Sequence, residues 1–315
     1  MAKTLSIIKQ IQEYKPITVD LAFQKTISFS QLSMYLSCPK KWSLQYRDGH
    51  KIPSFSINMT FGTSMHETLQ NYLHVMYTKS GVKADEINIE EYFEDKFREN
   101  YTKGYKDNKS IHFSNSEEMR EFYNDGLAIL DFIKKKRGEY FTIKGWHLVG
   151  IEIPIVIAPN KTHNNVLFNG FIDLVMYHEG TNKFVIYDIK TSTRGWGDKE
   201  KKDQIKQFQI LLYKSFFSEQ FGVPEENIDV EFFIVKRKIW EESEFPQKRI
   251  QQFVPANGKT KVKKAKTALD TFINEVFNLD GSYKSTDFQA IPAKHNCTYC
   301  SYKNKKELCD KAILK

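Results

Sequence analysis

The sequence predicts an α/β fold: a mixed central β-sheet flanked by helices, with a helical insertion ahead of the sheet and a cysteine-rich segment after it. Three observations carry this. Helical spacing of apolar residues dominates up to about residue 140, alternating apolar positions replace it after Gly145, and one apolar helix follows the third strand. The 315 residues are 40% hydrophobic and 14% aromatic, enough to bury a sizeable core, and their composition excludes a collagenous, disordered or disulfide-dense chain. One elaborated domain over 1–315 is expected, with two smaller domains as the alternative at this length.

Taken in order, Ser28 is a capping residue ahead of apolar positions at helical intervals, Leu32, Tyr35 and Leu36, and Cys38-Pro39 interrupts that pattern. Met65, Leu69, Tyr72, Leu73 and Met76 mark one face of a helix over 62–77. This N-terminal helical part spans 28–79. Residues 89–103 and 116–137 predict two charged, aromatic helices that form an insertion over 80–140. Strands follow at 146–157, where Pro154 argues against a central position, at 166–177 and at 183–189, the last two joined by a turn containing Gly180. A helix over 202–221 and strands at 228–236 and 248–254 complete a core over 145–255. A Lys-rich helix over 260–277 and a short cysteine-bearing tail occupy 259–315. No run approaches eighteen apolar residues, and residues 1–15 interleave Lys, Gln and Glu with apolar positions. Neither a membrane span nor a signal peptide is therefore expected, and the expected compartment is the cytoplasm.

The chemistry falls on the middle hairpin. With Gly180 and Thr181 at the centre of its turn, Asp173 lies opposite Asp188, and the two-residue period of a strand puts Lys190 on the same face. Like charges directly opposite are unfavourable, and both carboxylates sit in apolar surroundings, Phe171-Ile-Asp173-Leu-Val and Val185-Ile-Tyr-Asp188-Ile. A divalent cation such as Mg²⁺ resolves the conflict and can stabilise the attacking and leaving oxygens of a phosphodiester. Lys190 would orient the attacking water or neutralise charge on the phosphate. An ordinary cross-strand Asp–Lys salt bridge is the competing reading. Glu152, on the neighbouring strand, is either a third carboxylate of the site or solvent-facing.

Gly170-Phe-Ile-Asp173, then Tyr187-Asp188-Ile-Lys190-Thr, then Gln209-Ile-Leu-Leu-Tyr213 resembles the ordered motifs G-x-x-D, D-x-K and Q-x-x-x-Y of PD-(D/E)XK nucleases of the RecB-like group. His66, in Phe61-Gly-Thr-Ser-Met-His66, is similar to the histidine that precedes them. Ile172 stands where the superfamily name has proline. The resemblance implies a restriction-endonuclease-like core, with Asp173 and Asp188 binding Mg²⁺ or Mn²⁺, the Ile189 backbone carbonyl assisting, Lys190 catalytic and His66 an additional ligand. Gln209 and Tyr213 would reach toward one strand of nucleic acid.

Cys297-Thr-Tyr-Cys300 has metal-knuckle spacing, Cys309 follows after eight residues, and Cys38 stands 259 positions before Cys297. This arrangement resembles the iron–sulfur branch of RecB-like nucleases, which includes AddB and the CRISPR-associated adaptation exonucleases. It implies a [4Fe–4S] cluster on Cys38, Cys297, Cys300 and Cys309. Zinc and free buried thiols are the alternatives.

A net charge of +8 favours a polyanionic partner. Candidate nucleic-acid contacts are Arg194 and Trp196 just past the catalytic strand, Lys236 at a strand end, and Lys261, Lys263 and Lys264 on the late helix, each of which could equally be solvated surface. The expected function is a metal-dependent DNA exonuclease acting on single-stranded or free ends in recombination, repair or DNA processing. The alternatives are a nucleic-acid-binding or assembly module that does not cut, and a restriction-type endonuclease. No G-x-x-x-x-G-K-[ST] motif occurs, so unwinding would fall to a helicase or other DNA-processing partner.

Overall fold

The computed structural model describes residues 2–313. Its centre is a six-stranded mixed sheet: β1 (Lys25–Ile27), β2 (Trp146–Ile157), β3 (Val166–His178), β4 (Lys183–Ser192), β5 (Ile228–Lys236) and β6 (Ile250–Phe253). The order is β1-β3-β4-β5-β6, with β2 on the other edge of β3. β2 is thus an outer strand, as Pro154 requires, and Gln220 covers its free edge by accepting from Val156 N and donating to the Pro154 carbonyl. The helix–sheet–helix order matches the sequence expectation. The β1 strand and the helix Ala2–Gln12 were not predicted, and β6 is shorter than the run 248–254.

The detail that positions the site is a fork in the sheet. β3 pairs in parallel with β1 through Val166–Phe168 and antiparallel with β4 from Leu174 onward, both on the same edge. Between them, among the described residues, 169–173 have no strand partner on that edge. The β3–β4 register, Leu174 opposite Tyr187 and His178 opposite Lys183, is the one the turn predicts. β4 then leaves β3 but stays paired with β5 as far as Ser192.

Two apolar layers cover the sheet. On one face lies the helix Gln204–Phe221, whose Ile210, Leu211, Leu212, Phe216 and Phe217 are all buried, as a helix enclosed on several sides must be. Asp203 caps its start by accepting from Ile205 N and Lys206 N, and left-handed Gly222 ends it. The helix Lys259–Val276 packs outside it. The other face carries the helix Ile57–Thr78, which begins at the Ser56 cap and starts five residues before the predicted position.

The insertion helices Ile89–Asp107 and Ser116–Tyr140 pack on Ile57–Thr78 and share one apolar cluster with Leu174, Tyr187 and Ile189 of the sheet. At Gly126 of the second helix the fully buried ring of Phe93 from the first fills the space that an added Cβ would need. Gly126→Ala therefore forces a ring or a helix to move, and is expected to destabilise the protein by about 1–3 kcal/mol, read as a lower midpoint in a urea titration. An unchanged midpoint would show that the two helices separate freely.

Candidate active site

The fork leaves backbone groups of β4 without a ladder partner, and side chains satisfy them. Asp173 Oδ2 accepts from Ile189 N at 2.7 Å, replacing the hydrogen bond that β3 would have made. A residue's N–H and C=O point to the same side of a strand, so the Ile189 carbonyl also faces the fork. His66 comes from the opposing helix, and its Nδ1 stands 3.8 Å from Asp173 Oδ2.

Asp188 is buried, 2% exposed, and Lys190 Nζ lies 3.1 Å from its Oδ1 and 2.9 Å from its Oδ2. Gln209 Oε1 accepts from the same Nζ at 2.9 Å, so the ammonium is held between a carboxylate and an amide. Although Asp188 Oδ2 is close to Lys190, no donor reaches it in hydrogen-bonding geometry, which leaves one oxygen of a buried carboxylate without a directed partner.

The electrostatics follow from this packing. Burial, and then the charge of Asp188, pushes the Asp173 carboxyl well above the ordinary range, and burial raises Asp188 against the pull of Lys190. Burial works against the Lys190 ammonium, but the charges of Asp188 and Asp173 outweigh it and raise its pKa. His66 is lowered to about 4, first by burial and then by Lys190, so near neutral pH it is the uncharged imidazole that ligates metals.

Tyr213, one turn beyond Gln209, is 5% exposed and presses on Gly170, where an added Cβ would meet its ring and hydroxyl at 3.0 Å. The glycine of the first motif thus makes room for the tyrosine of the third. Tyr213 fixes the helix on β3 and offers no open face to nucleic acid, contrary to the expectation that it reaches a strand. Glu152 is exposed and in left-handed backbone (φ 49°), yet it is tied to the site. Gln70 Nε2 donates to Glu152 Oε1 at 2.6 Å and to the Asp173 carbonyl at 3.1 Å. Gln70 was not singled out from the sequence, although its four-residue spacing from His66 puts both on one helix face.

The remaining candidates scatter. Arg194 and half-buried Lys236 line an open basin of about 660 Å³ past the ends of β4 and β5, together with exposed Trp240. Their neighbours Arg237 and Lys238 are engaged by Glu121 and Asp125 of the insertion. Trp196 is not free to stack on a base: its ring packs on Phe232 and Phe253, and Lys206 lies over it. Lys261, Lys263 and Lys264 are exposed on a helix whose inner face is Val262, Ala265 and Leu269, and Lys263 and Lys264 border a separate apolar cleft with Leu36 and Phe208. Cys38, Cys297, Cys300 and Cys309, remote in sequence, line one small cavity with Ile291 and Tyr302.

A sheet fork that brings a buried and a half-buried carboxylate, a lysine and a neutral imidazole together is consistent with a metal-dependent phosphodiesterase of mixed α/β fold. The chain belongs to the PD-(D/E)XK nuclease superfamily, which it matches over residues 26–305. No curated relative matches it.

Among the described residues, no three His, Cys, Asp or Glu side chains are arranged to hold a metal ion as they stand. Asp188 Oδ2, which has an ion-pair neighbour in Lys190 but no directed hydrogen bond, and the carboxyl of Asp173 are nevertheless hard oxygen donors of the kind a divalent cation selects. Asp173, Asp188 and the Ile189 carbonyl would hold Mg²⁺ or Mn²⁺, with His66 beside them. When bound, the ion supplies Lewis-acid polarisation of the phosphoryl oxygens and a more acidic water. No helix among the described residues is long and apolar enough to cross a membrane.

Proposed function

We propose that this nuclease-superfamily domain is an exonuclease acting on single-stranded or free DNA ends in recombination, repair or DNA processing. In this reading it belongs to the RecB-like iron–sulfur branch and works with a helicase or similar partner. The observation that carries the cutting activity is Lys190 held between Asp188 and Gln209 beside Asp173. Lys190 also lines an open cleft, from which a phosphate could approach its ammonium. Gln209 keeps Nζ from collapsing wholly onto Asp188, so it can also donate to a non-bridging phosphate oxygen.

The same reading assigns a [4Fe–4S] cluster to the four cysteines, with zinc as the alternative occupant of a Cys₄ ligand set. Support comes from the cavity that all four line and from Cys38 Sγ facing the C-terminal segment, where it accepts from Ile291 N.

Purified protein with labelled linear single-stranded DNA and Mg²⁺ or Mn²⁺ is expected to release nucleotides progressively from ends and to spare closed circles. Cleavage of closed circles would make it an endonuclease, and binding without any cleavage would make it an assembly module. Iron and sulfide in the protein purified anaerobically, rather than zinc, would support the cluster.

A further inference from the structure

A cleft of about 480 Å³ opens from Lys190 and Gln209 between the helix Phe29–Ser37 and the short helix Lys294–Cys297. Among the described residues no carboxylate lines it, unlike the basin beyond Arg194, which holds Glu241 and Glu242. Its polar wall is built from one helix face, because Ser30, Ser33 and Ser37 recur at three- and four-residue intervals. The Ser37 hydroxyl is engaged by the Ser33 carbonyl at 2.8 Å. Lys41 lies half-buried on the same side, and exposed His295 stands across from it.

Among the described residues, Lys41 and His295 form no ion pair, whereas the adjacent Lys40 meets Asp287 at 3.6 Å and does not line the cleft. Lys41 also borders the cysteine cavity, but among the described residues it pairs with no carboxylate, and a half-buried ammonium in a cleft free of acids can take an anion from the open side. The cleft ends at Lys190, the lysine to which the proposed function gives the scissile phosphate, so an anion held beside it would be a neighbouring phosphate of the same strand.

We propose that this cleft is a phosphate-binding track for a single strand of nucleic acid, with Lys41 the principal contact and the Ser33 hydroxyl and His295 imidazole secondary donors. The track rests on the nuclease reading for its substrate, and it holds phosphates next to the one cut at Lys190. Contacts of this kind position a strand without reading its sequence.

The test is binding of a labelled single-stranded oligonucleotide in the absence of divalent cations, measured by anisotropy across a salt series. Lys41→Gln is expected to weaken binding roughly tenfold at about 0.1 M salt and to reduce the slope of log K against log salt by about 0.7, the value for one lost phosphate contact on a single strand. Lys40→Gln removes the same charge outside the cleft and is expected to leave the slope unchanged. In the cleavage assay, Lys41→Gln should raise KM for the oligonucleotide but not alter turnover of a dinucleotide, which carries only the scissile phosphate.

Equal effects of the two substitutions would show a general field and overturn the track, as would an unchanged slope in Lys41→Gln. Because the binding arm needs no catalysis, a native protein that binds but never cuts would remove the nuclease reading and still leave the track measurable.

Discussion

Asp188→Asn is expected to abolish cleavage, lowering turnover on the order of 10³-fold or more, while oligonucleotide binding without metal stays within about threefold of native. The substitution is nearly isosteric, and the amide oxygen it introduces can still accept from Lys190, so the packing of a residue 2% exposed is kept. What disappears is one negative charge and one ligand oxygen. Two consequences separate a metal role from a structural one. Removing the charge of Asp188 relieves its repulsion with Asp173 but deprives the Lys190 ammonium of its nearest counter-charge, so the two effects oppose and the metal-free melting temperature should fall only modestly. Added Mn²⁺ should raise the melting temperature of the native protein and not that of the variant, because a ligand stabilises only the state that binds it. A large drop in the metal-free melting temperature, or an equal Mn²⁺ shift in both proteins, would make Asp188 a structural ion-pair partner of Lys190.

The hairpin register was legible because it follows from one short turn: the pairing continues from His178 and Lys183 to Leu174 and Tyr187. The geometry by which Asp173 meets Asp188 was not. Strict alternation puts both carboxylates on one face, but Phe168 and Gly170 contact Tyr213 on the Gln204–Phe221 side, whereas Leu174 and Met176 join the cluster on the opposite side. The phase of β3 therefore changes next to Asp173, across from left-handed Glu152 on β2. Asp173 reaches the Ile189 amide at the edge of β4 instead of standing off the sheet beside Asp188. A non-glycine residue with positive φ leaves no mark in a hydropathy pattern, so neither the phase change nor the fork could be read in advance. Tyr213 and Trp196 were misread for a related reason. An aromatic near a functional motif has the same letter whether its ring is buried or free, and only the third dimension supplies Gly170 beneath one and Phe232 beneath the other.

Changing Cys300 to Ser is expected to destabilise the protein strongly if, as proposed, the four cysteines that line one cavity share a metal centre that ties segments from the two ends of the chain. Such a centre would close a loop of some 259 positions between Cys38 and Cys297 and remove unfolded-state entropy equivalent to about 5 kcal/mol, before any bond strength to the metal is counted. The hydrogen bonds that cross the same seam run from Asn296 Nδ2 to the Ser37 carbonyl at 2.8 Å, from Tyr302 to Gln45 and the His50 carbonyl, and from Arg47 to the Lys284 carbonyl. Lys40 N also donates to the Gln289 carbonyl and Arg47 to the Thr286 carbonyl, and at about 1 kcal/mol each these bonds hold the seam by an amount comparable to the loop-closure term, to which a metal centre would add its bond strength. The seam also bears on catalysis, since Cys38, Lys41 and Asn296 line both the cysteine cavity and the cleft that leads to Lys190. Cys300→Ser is therefore expected to lose bound iron or zinc, to unfold at markedly lower urea, and to bind single strands more weakly with a reduced salt slope, as Lys41→Gln does. If the variant kept its metal and its urea midpoint, the thiols would be ordinary buried side chains. If it lost the metal and stability but bound DNA as the native protein does, the shared wall between the two cavities would carry no information from one to the other.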